Sequence, residues 1–230
     1  VGFTNLLECS KDVAVGNFIF ASSSSVYGGN TKLPFHETDS VDHPVSLYAA
    51  TKKSNEILSH SYSHLYKIPC TGLRFFTVYG PWGRPDMAPM LFAKAILNGD
   101  PIDIFNYGDM QRDFTYIDDI SEALVRCCFK PAYPDPGFKT GNPEPDNSWA
   151  PYRIFNIGNG NPINLMEFIE ILENVLGKKA IKEFRPIEPG DVVKTCSENN
   201  KLKSWINYKP NTSLEDGIVR FAEWYKSYYF

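Results

Sequence analysis

The chain has 230 residues, 43% of them hydrophobic and 22% charged, enough for one large or two small soluble domains with a substantial core. A net charge of -4, a pI near 5.6 and the absence of any Lys/Arg run remove the electrostatic footprint of a nucleic-acid-binding protein. No stretch approaches the roughly 20 apolar residues of a membrane helix, and the opening VGFTNLLECS lacks the charged and apolar regions of a signal peptide, so a soluble cytoplasmic protein with no membrane partner is expected.

In chain order, FTNLLECSKDVAV (residues 3–15) has apolar side chains at helical spacing and predicts a helix ending near Gly16. The apolar run that follows, residues 17–22, predicts a buried strand, and residues 28–45 read as a polar loop. A long helix is predicted from Ser46, its N-cap, to just before Pro69. CTGLRFFTVYG (70–80) reads as one apolar strand broken by GPWGRPD, and a helix over 88–100, the strand IDIF, and a strand plus helix over 114–129 come next. Residues 131–151 hold six prolines and two glycines and predict a surface loop, after which RIFNIG is a strand. NLMEFIEILENVLG and SLEDGIVRFAEWYKSYY are amphipathic helices, the first stopped at Gly177. Alternating strands and helices predict an α/β fold with a parallel sheet.

The five cysteines (Cys9, Cys70, Cys127, Cys128, Cys196) are an odd number without a C-x-x-C, and read as reduced, packing thiols. His60 and His64 stand one helical turn apart with no evident third ligand, so no metal is expected there. GNGNP (158–162) departs from the G-x-G-x-x-G form and reads as a turn.

Two features carry chemistry. FIFASSSSVYGG sets four serines at the end of a strand, where they either turn the chain or line a site, because open α/β sheets collect ligands at the carboxyl ends of their strands. Tyr48 and Lys52 lie four residues apart on one helix face. A free phenol titrates near ~10, and bringing it to neutrality takes about 4 kcal/mol, more than one exposed lysine supplies. A partly buried lysine acting with a cationic ring such as an oxidised nicotinamide would suffice.

With these residues the chain resembles the extended short-chain dehydrogenase/reductase family, specifically its nucleotide-sugar epimerases. SSSSVYG, Tyr48-x-x-x-Lys52, LRFFTVYGP, RDFTYIDD, FNIGNG and EPGDV follow in the family's order from end to end. The resemblance implies an incomplete Rossmann-type doubly wound parallel sheet with a smaller C-terminal α/β substrate-binding domain. Residues 1–80 would belong to the NAD-binding domain, with 112–130 and 152–160 returning to it, and 81–230 mainly to the nucleotide-sugar domain. It implies NAD as cofactor, a UDP-sugar as substrate and a homodimer formed through residues 3–15 and the Tyr48 helix. Ser23, Tyr48 and Lys52 take the catalytic positions, and Ala21, Ser22, Tyr48, Lys52 and Phe76 the cofactor side, Phe76 against the nicotinamide; Ser22 is also the serine expected only to turn the chain. Ser24 and Ser25 would line the sugar pocket. They stand where related 4,6-dehydratases carry an acidic pair, which weakens a dehydratase reading.

Residues 74–89 resemble the corresponding segment of UDP-glucuronate 4-epimerases more than that of UDP-galactose 4-epimerases, which have asparagine where Thr77 stands. Oxidation at C4 of a glucuronate creates a β-keto acid that can lose carbon dioxide, so its carboxylate must be held. Thr77 and Arg84 are the candidates, Arg84 reading equally well as a surface arginine. For the nucleotide the resemblance points to Arg112 on the diphosphate or ribose, Asp191 on the ribose and Phe105 beside uracil; alternatively Arg112 pairs with Asp113 or Asp109. Glu188-Pro189 stand where galactose-type epimerases have an arginine before the Gly-Asp step. The glycine-rich cofactor fingerprint and its acidic partner find no match, so the chain is expected to be the C-terminal two-thirds of a longer enzyme, with little or no activity alone. Another nucleotide-sugar epimerase, a UDP-glucuronate decarboxylase and a non-catalytic fragment remain the alternatives.

Overall fold

The computed structural model describes residues 1–188 and 190–230, which leaves Pro189 of the EPGDV segment outside the described residues. The chain divides into two compact units, one of Val1–Phe76, Glu122–Ile157 and Ser197–Lys209, the other of Thr77–Ser121, Gly158–Cys196 and Pro210–Phe230.

The first unit is built on β1 (Phe18–Ser23), β2 (Cys70–Phe75) and β6 (Tyr152–Ile157), all parallel in the order β1-β2-β6. Every residue of β6 is buried and β2 is buried up to Phe75, as expected of strands covered on both faces. Side chains interlock across the sheet at Gly72, where a Cβ would stand 2.4 Å from Ile154 Cδ1 and 2.6 Å from Phe20 Cζ. Helix α1 (Gly2–Asp12) packs on α2 (Leu47–Tyr66), and its Phe3 meets Phe18 and Phe20 edge-on at 5.8 and 5.4 Å. The Ser46 hydroxyl caps α2 by accepting from the Ala49 N–H at 3.1 Å, and the helix ends at Lys67 in the left-handed conformation. Residues 131–151 form the expected loop. It is fastened to α2 where His60 Nε2 meets the Ser148 hydroxyl at 2.8 Å and Trp149 Nε1 donates to His64 Nδ1 at 2.9 Å, which accounts for both histidines.

The second unit holds β3 (Thr77–Tyr79), α3 (Ala88–Asn98), β4 (Pro101–Ile104), β5 (Gln111–Tyr116), β7 (Pro162–Asn164), α5 (Leu165–Leu176), β8 (Ile181–Phe184) and α7 (Leu214–Tyr229). β5 pairs parallel with β3 and antiparallel with β7, while β4 and β8 form a separate parallel pair. The apolar faces of α3, α5 and α7 close a core that includes Phe92, Ile96, Phe168, Leu172, Ile218 and Phe221, with Phe114 and Phe168 stacked at 4.5 Å. Asn164 caps α5, and Gly177 ends it at φ 75°.

Two expectations need correction. The run 70–80 is two strands, broken at Phe76, with β2 in the first unit's sheet and β3 beside β5 in the second. The first boundary between the compact units falls at residues 76/77. Residues 112–121, with the start of α4 (Ile117–Cys128), go with the second unit, while 131–151 and 197–209 go with the first, the latter carrying α6 (Asn200–Ile206), a helix too short to show periodicity. Of the five cysteines, Cys70 and Cys127 are buried, whereas Cys9 and Cys128 are exposed.

Candidate functional site

In the first unit the candidate site gathers at the carboxyl end of β1. Ser23 closes the strand and caps the 3-10 turn Ser24–Tyr27, its hydroxyl oxygen accepting from the Ser25 N–H at 3.1 Å. The same hydroxyl donates to Ser25 Oγ at 3.1 Å, so Ser23 both turns the chain and presents a hydroxyl at the strand end. Tyr48 and Lys52 lie on one face of α2, one turn apart. The Lys52 ammonium donates to the Ala21 carbonyl at 2.9 Å and sits 5.6 Å from the centre of the Tyr48 ring, while half of Tyr48 faces solvent. One of the three ammonium donors is thus committed to the backbone, and the others can serve a phenol or a ligand hydroxyl pair.

Below this surface runs a buried polar network that sequence reasoning missed. Ser22 lies inside β1 rather than in a turn, and its hydroxyl donates to Glu56 Oε1 at 2.6 Å, leaving only its backbone for a cofactor. Glu56 accepts both Nε and Nη2 of Arg74 at 2.9 Å, and the pair is almost wholly removed from water. Burial alone would lower the Arg74 pKa, but the hydrogen bonds and charge of Glu56 more than reverse this and raise it. Arg74 Nη1 donates to the Tyr27 hydroxyl at 3.1 Å, which in turn donates to Asn156 Oδ1 at 2.6 Å; the Asn156 N–H then reaches Glu37 Oε1 at 3.0 Å. Burial raises the Tyr27 phenol well above its ordinary range and pushes Glu37 up to about 7. Polar residues inside the apolar runs TGLRFF and RIFNIG were the available signal. Phe76, expected beside a nicotinamide, is a core residue, 6% exposed and packed with Val26, Tyr27, Phe35 and Val41.

The second unit carries the other candidates. Arg112, on β5, pairs with Asp191 through Nη2 at 2.8 Å and donates from Nη1 to the Val193 carbonyl at 3.1 Å, so an acid far along the chain partners it where Asp113 or Asp109 was the alternative. Burial lowers the Arg112 pKa and Asp191 partly offsets this. Asp113 is instead seated in the GNGNP turn, where the N–H groups of Asn159 and Gly160 donate to its carboxylate at 2.9 and 3.1 Å. Asp191 lies within hydrogen-bond reach of Arg112, so these two expected nucleotide ligands are brought together. Phe105 follows β4 half-buried and lines a cleft of about 590 Å³ with Phe92, Lys94 and Asp103. Thr77 opens β3, half-buried. Arg84 is a surface residue whose guanidinium pairs with Asp86 at 2.5 Å, with 69% of its side chain exposed.

Residues 1–158 match the NAD dependent epimerase/dehydratase family, and the chain belongs to that family. It is 56% identical over 229 residues to Protein CapI of Staphylococcus aureus, covering all of this chain and 69% of that protein. It is 47% identical over 232 residues to a "Probable UDP-glucuronate 4-epimerase" of Rhizobium meliloti, covering 100% of this chain and 67% of that one. Among solved structures, the UDP-glucuronic acid 4-epimerase of Bacillus cereus, in complex with UDP-glucuronic acid and NAD, superposes with a TM-score of 0.81 at 34% identity over 99% of this chain and 67% of its own. The chain thus spans about two-thirds of the length of these relatives.

The family is NAD-dependent, and the first unit fits the nicotinamide end of that cofactor. A tethered ammonium, a half-exposed phenol and a strand-end hydroxyl are the donors that a ribose diol and a reacting alcohol require. The residues that would hold it are Ala21 through its backbone, Tyr48 and Lys52.

Proposed function

We propose that the protein to which this chain belongs catalyses the 4-epimerisation of a UDP-hexuronic acid, interconverting UDP-glucuronate and UDP-galacturonate. The observation that carries this reading is the Tyr48-Lys52 pair on one exposed helix face, with Lys52 bonded to the β1 backbone two residues before Ser23. The similarity to proteins named for UDP-glucuronate supports the substrate.

Bound NAD supplies a reversible hydride acceptor. The Tyr48 phenolic oxygen takes the proton of the sugar 4-hydroxyl and later returns it, acting as general base and then as general acid. The Lys52 ammonium favours the ionised phenol by its charge and is kept in place by Ala21. Ser23 orients the same hydroxyl, and Ser24 and Ser25 line the sugar side. Arg112 and Asp191 hold the diphosphate and ribose, and Phe105 lies beside the base. With the nucleotide anchored, the sugar can turn and present its other face. Thr77 and Arg84 hold the carboxylate so that the β-keto acid survives. A homodimer formed through α1 and α2 is part of this reading.

The test is incubation of the holoenzyme with UDP-glucuronate and chromatography of the products. UDP-galacturonate without released carbon dioxide is expected, and Tyr48→Phe should lower kcat by roughly 10²- to 10⁴-fold at unchanged thermal stability. A UDP-pentose product, or turnover of UDP-galactose but not of UDP-glucuronate, would overturn the substrate assignment.

A further inference from the structure

Two separate elements must be held in register for such a site to work: α2, which carries Tyr48 and Lys52, and the serine turn, which carries Ser23 to Ser25. Their attachments converge on one side chain. Glu56 lies on α2 one turn beyond Lys52, and its carboxylate receives Nε and Nη2 of Arg74 together with the Ser22 hydroxyl. Tyr27, at the end of the serine turn, receives Nη1 of the same guanidinium, which lies 5.0 Å from the centre of its ring. Arg74 is fully buried, and nothing about it suits contact with a ligand.

The three strands add to this. Ser22, Arg74 and Asn156 are direct register partners across β1, β2 and β6, so they form one polar row one residue before the ends of the strands. Asn156 Oδ1 accepts from Tyr27 and its amide N–H donates to the Phe35 carbonyl at 2.8 Å, which fixes the turn from its other side. A fully apolar row would bury as well without the desolvation of an ion pair. The row gives a fixed hydrogen-bond geometry between helix, strand end and turn, which apolar packing alone does not specify.

We infer that Arg74 is a positioning residue of the proposed reaction, a single guanidinium that sets the Tyr48 helix and the Ser23 turn relative to each other through Glu56 and Tyr27. This rests on the proposed role of Tyr48 and Ser23. Arg74 acts on rate through geometry: its two arms toward Glu56 hold the base, and its third holds the serine turn.

The test uses Arg74→Lys, Tyr27→Phe and the double variant in the holoenzyme. Lysine can still neutralise Glu56 but cannot also reach Tyr27 in fork geometry, and Tyr27→Phe removes only the hydroxyl. Each single variant should lower kcat about tenfold or more while KM for the UDP-sugar changes less than about threefold, because misplacement of reacting groups is felt in the transition state. Both remove the Arg74–Tyr27 contact, while Tyr27→Phe also releases Asn156 Oδ1, so the double variant should lose less than the product of the two single losses. Amide exchange of Ser25 and Gly28, both bonded within the turn, should quicken in each variant while that of β2 and β6 does not. Multiplicative kcat losses, or losses confined to thermal stability with normal kcat, would overturn the inference. If the parent enzyme epimerises no UDP-sugar, the proposed function fails, and unchanged exchange in the turn would still overturn the positioning role by itself.

Discussion

The carboxyl of Glu37 is fully buried, with one oxygen on the Asn156 N–H and, among the described residues, no hydrogen-bond partner for the other. Burial is the main cause that pushes its pKa from 4.5 up to about 7, with the charge of Asp146 adding to it and hydrogen bonds from the Asn156 and Glu37 backbones pulling back. Its folded-state pKa is raised, so the stability it contributes is full below about pH 4.5 and is lost as pH rises through about 7. The amount is about 3 kcal/mol on an order-of-magnitude basis. Glu37→Gln should therefore flatten the fall in urea-unfolding free energy across that window and be the more stable protein above it; an unchanged slope would show that Glu37 ionises normally. At this scale the sequence exposed what has a period or a local spacing. Tyr48 and Lys52 were legible because a helix puts i and i+4 on one face. Arg74 and Glu56 were not, since their meeting depends on the register of β2 against α2, and 18 residues of sequence separate them.

At the scale of elements, α7 contains a glycine where helix propensity favours almost any other residue. A Cβ at Gly217 would stand 2.0 Å from the Tyr79 hydroxyl, 2.8 Å from its Cζ and 3.1 Å from Tyr116 Cδ2. The Tyr79 ring cannot easily yield, since it packs edge-on against Tyr116 at 5.6 Å and against Phe114 and Phe168 at 6.1 Å. Alanine gains about 1 kcal/mol of helix propensity, whereas overpacking costs about 1–3 kcal/mol or more. Gly217→Ala should thus lower the midpoint of thermal unfolding despite the better helix former, as calorimetry would read. Long elements with caps were legible: Ser46 and Gly177 mark ends that the structure places at the same residues, and of Ile163 and Asn164, either of which could start the helix, Asn164 is the cap. The three-residue strands β3 and β7 were not, because their pairing partner lies far away in sequence, and α6 was too short for a helical period to show.

For the molecule as a whole, the chain passes between its two units repeatedly, which no local composition announces; residues 197–209, for instance, return to the first unit after a long excursion. The proline-rich segment was legible as a surface loop, and its ends are tied down. Asp135 N–H donates to the Ser148 carbonyl at 2.9 Å and Ile154 N–H to the Asp146 carbonyl at 2.8 Å, while residues 139–145 are exposed throughout. Limited trypsin digestion should cut first after Lys139, and the two pieces should stay associated under native electrophoresis. First cleavage within α2 or α5, or separation of the pieces after a cut at Lys139, would contradict this picture of the loop.

The polar row across the sheet has one more effect, on assembly. Strands buried along nearly their whole length, as β2 and β6 are, would gain similar apolar burial from several alignments, so apolar burial alone leaves the correct offset poorly distinguished. Sliding β2 by one position would turn the guanidinium to the opposite side of the sheet and strand it without its carboxylate, a heavy electrostatic penalty. The ion pair therefore works as a key that admits one alignment, and it does so at the strand ends, where an error of a single step would scatter the reactive groups.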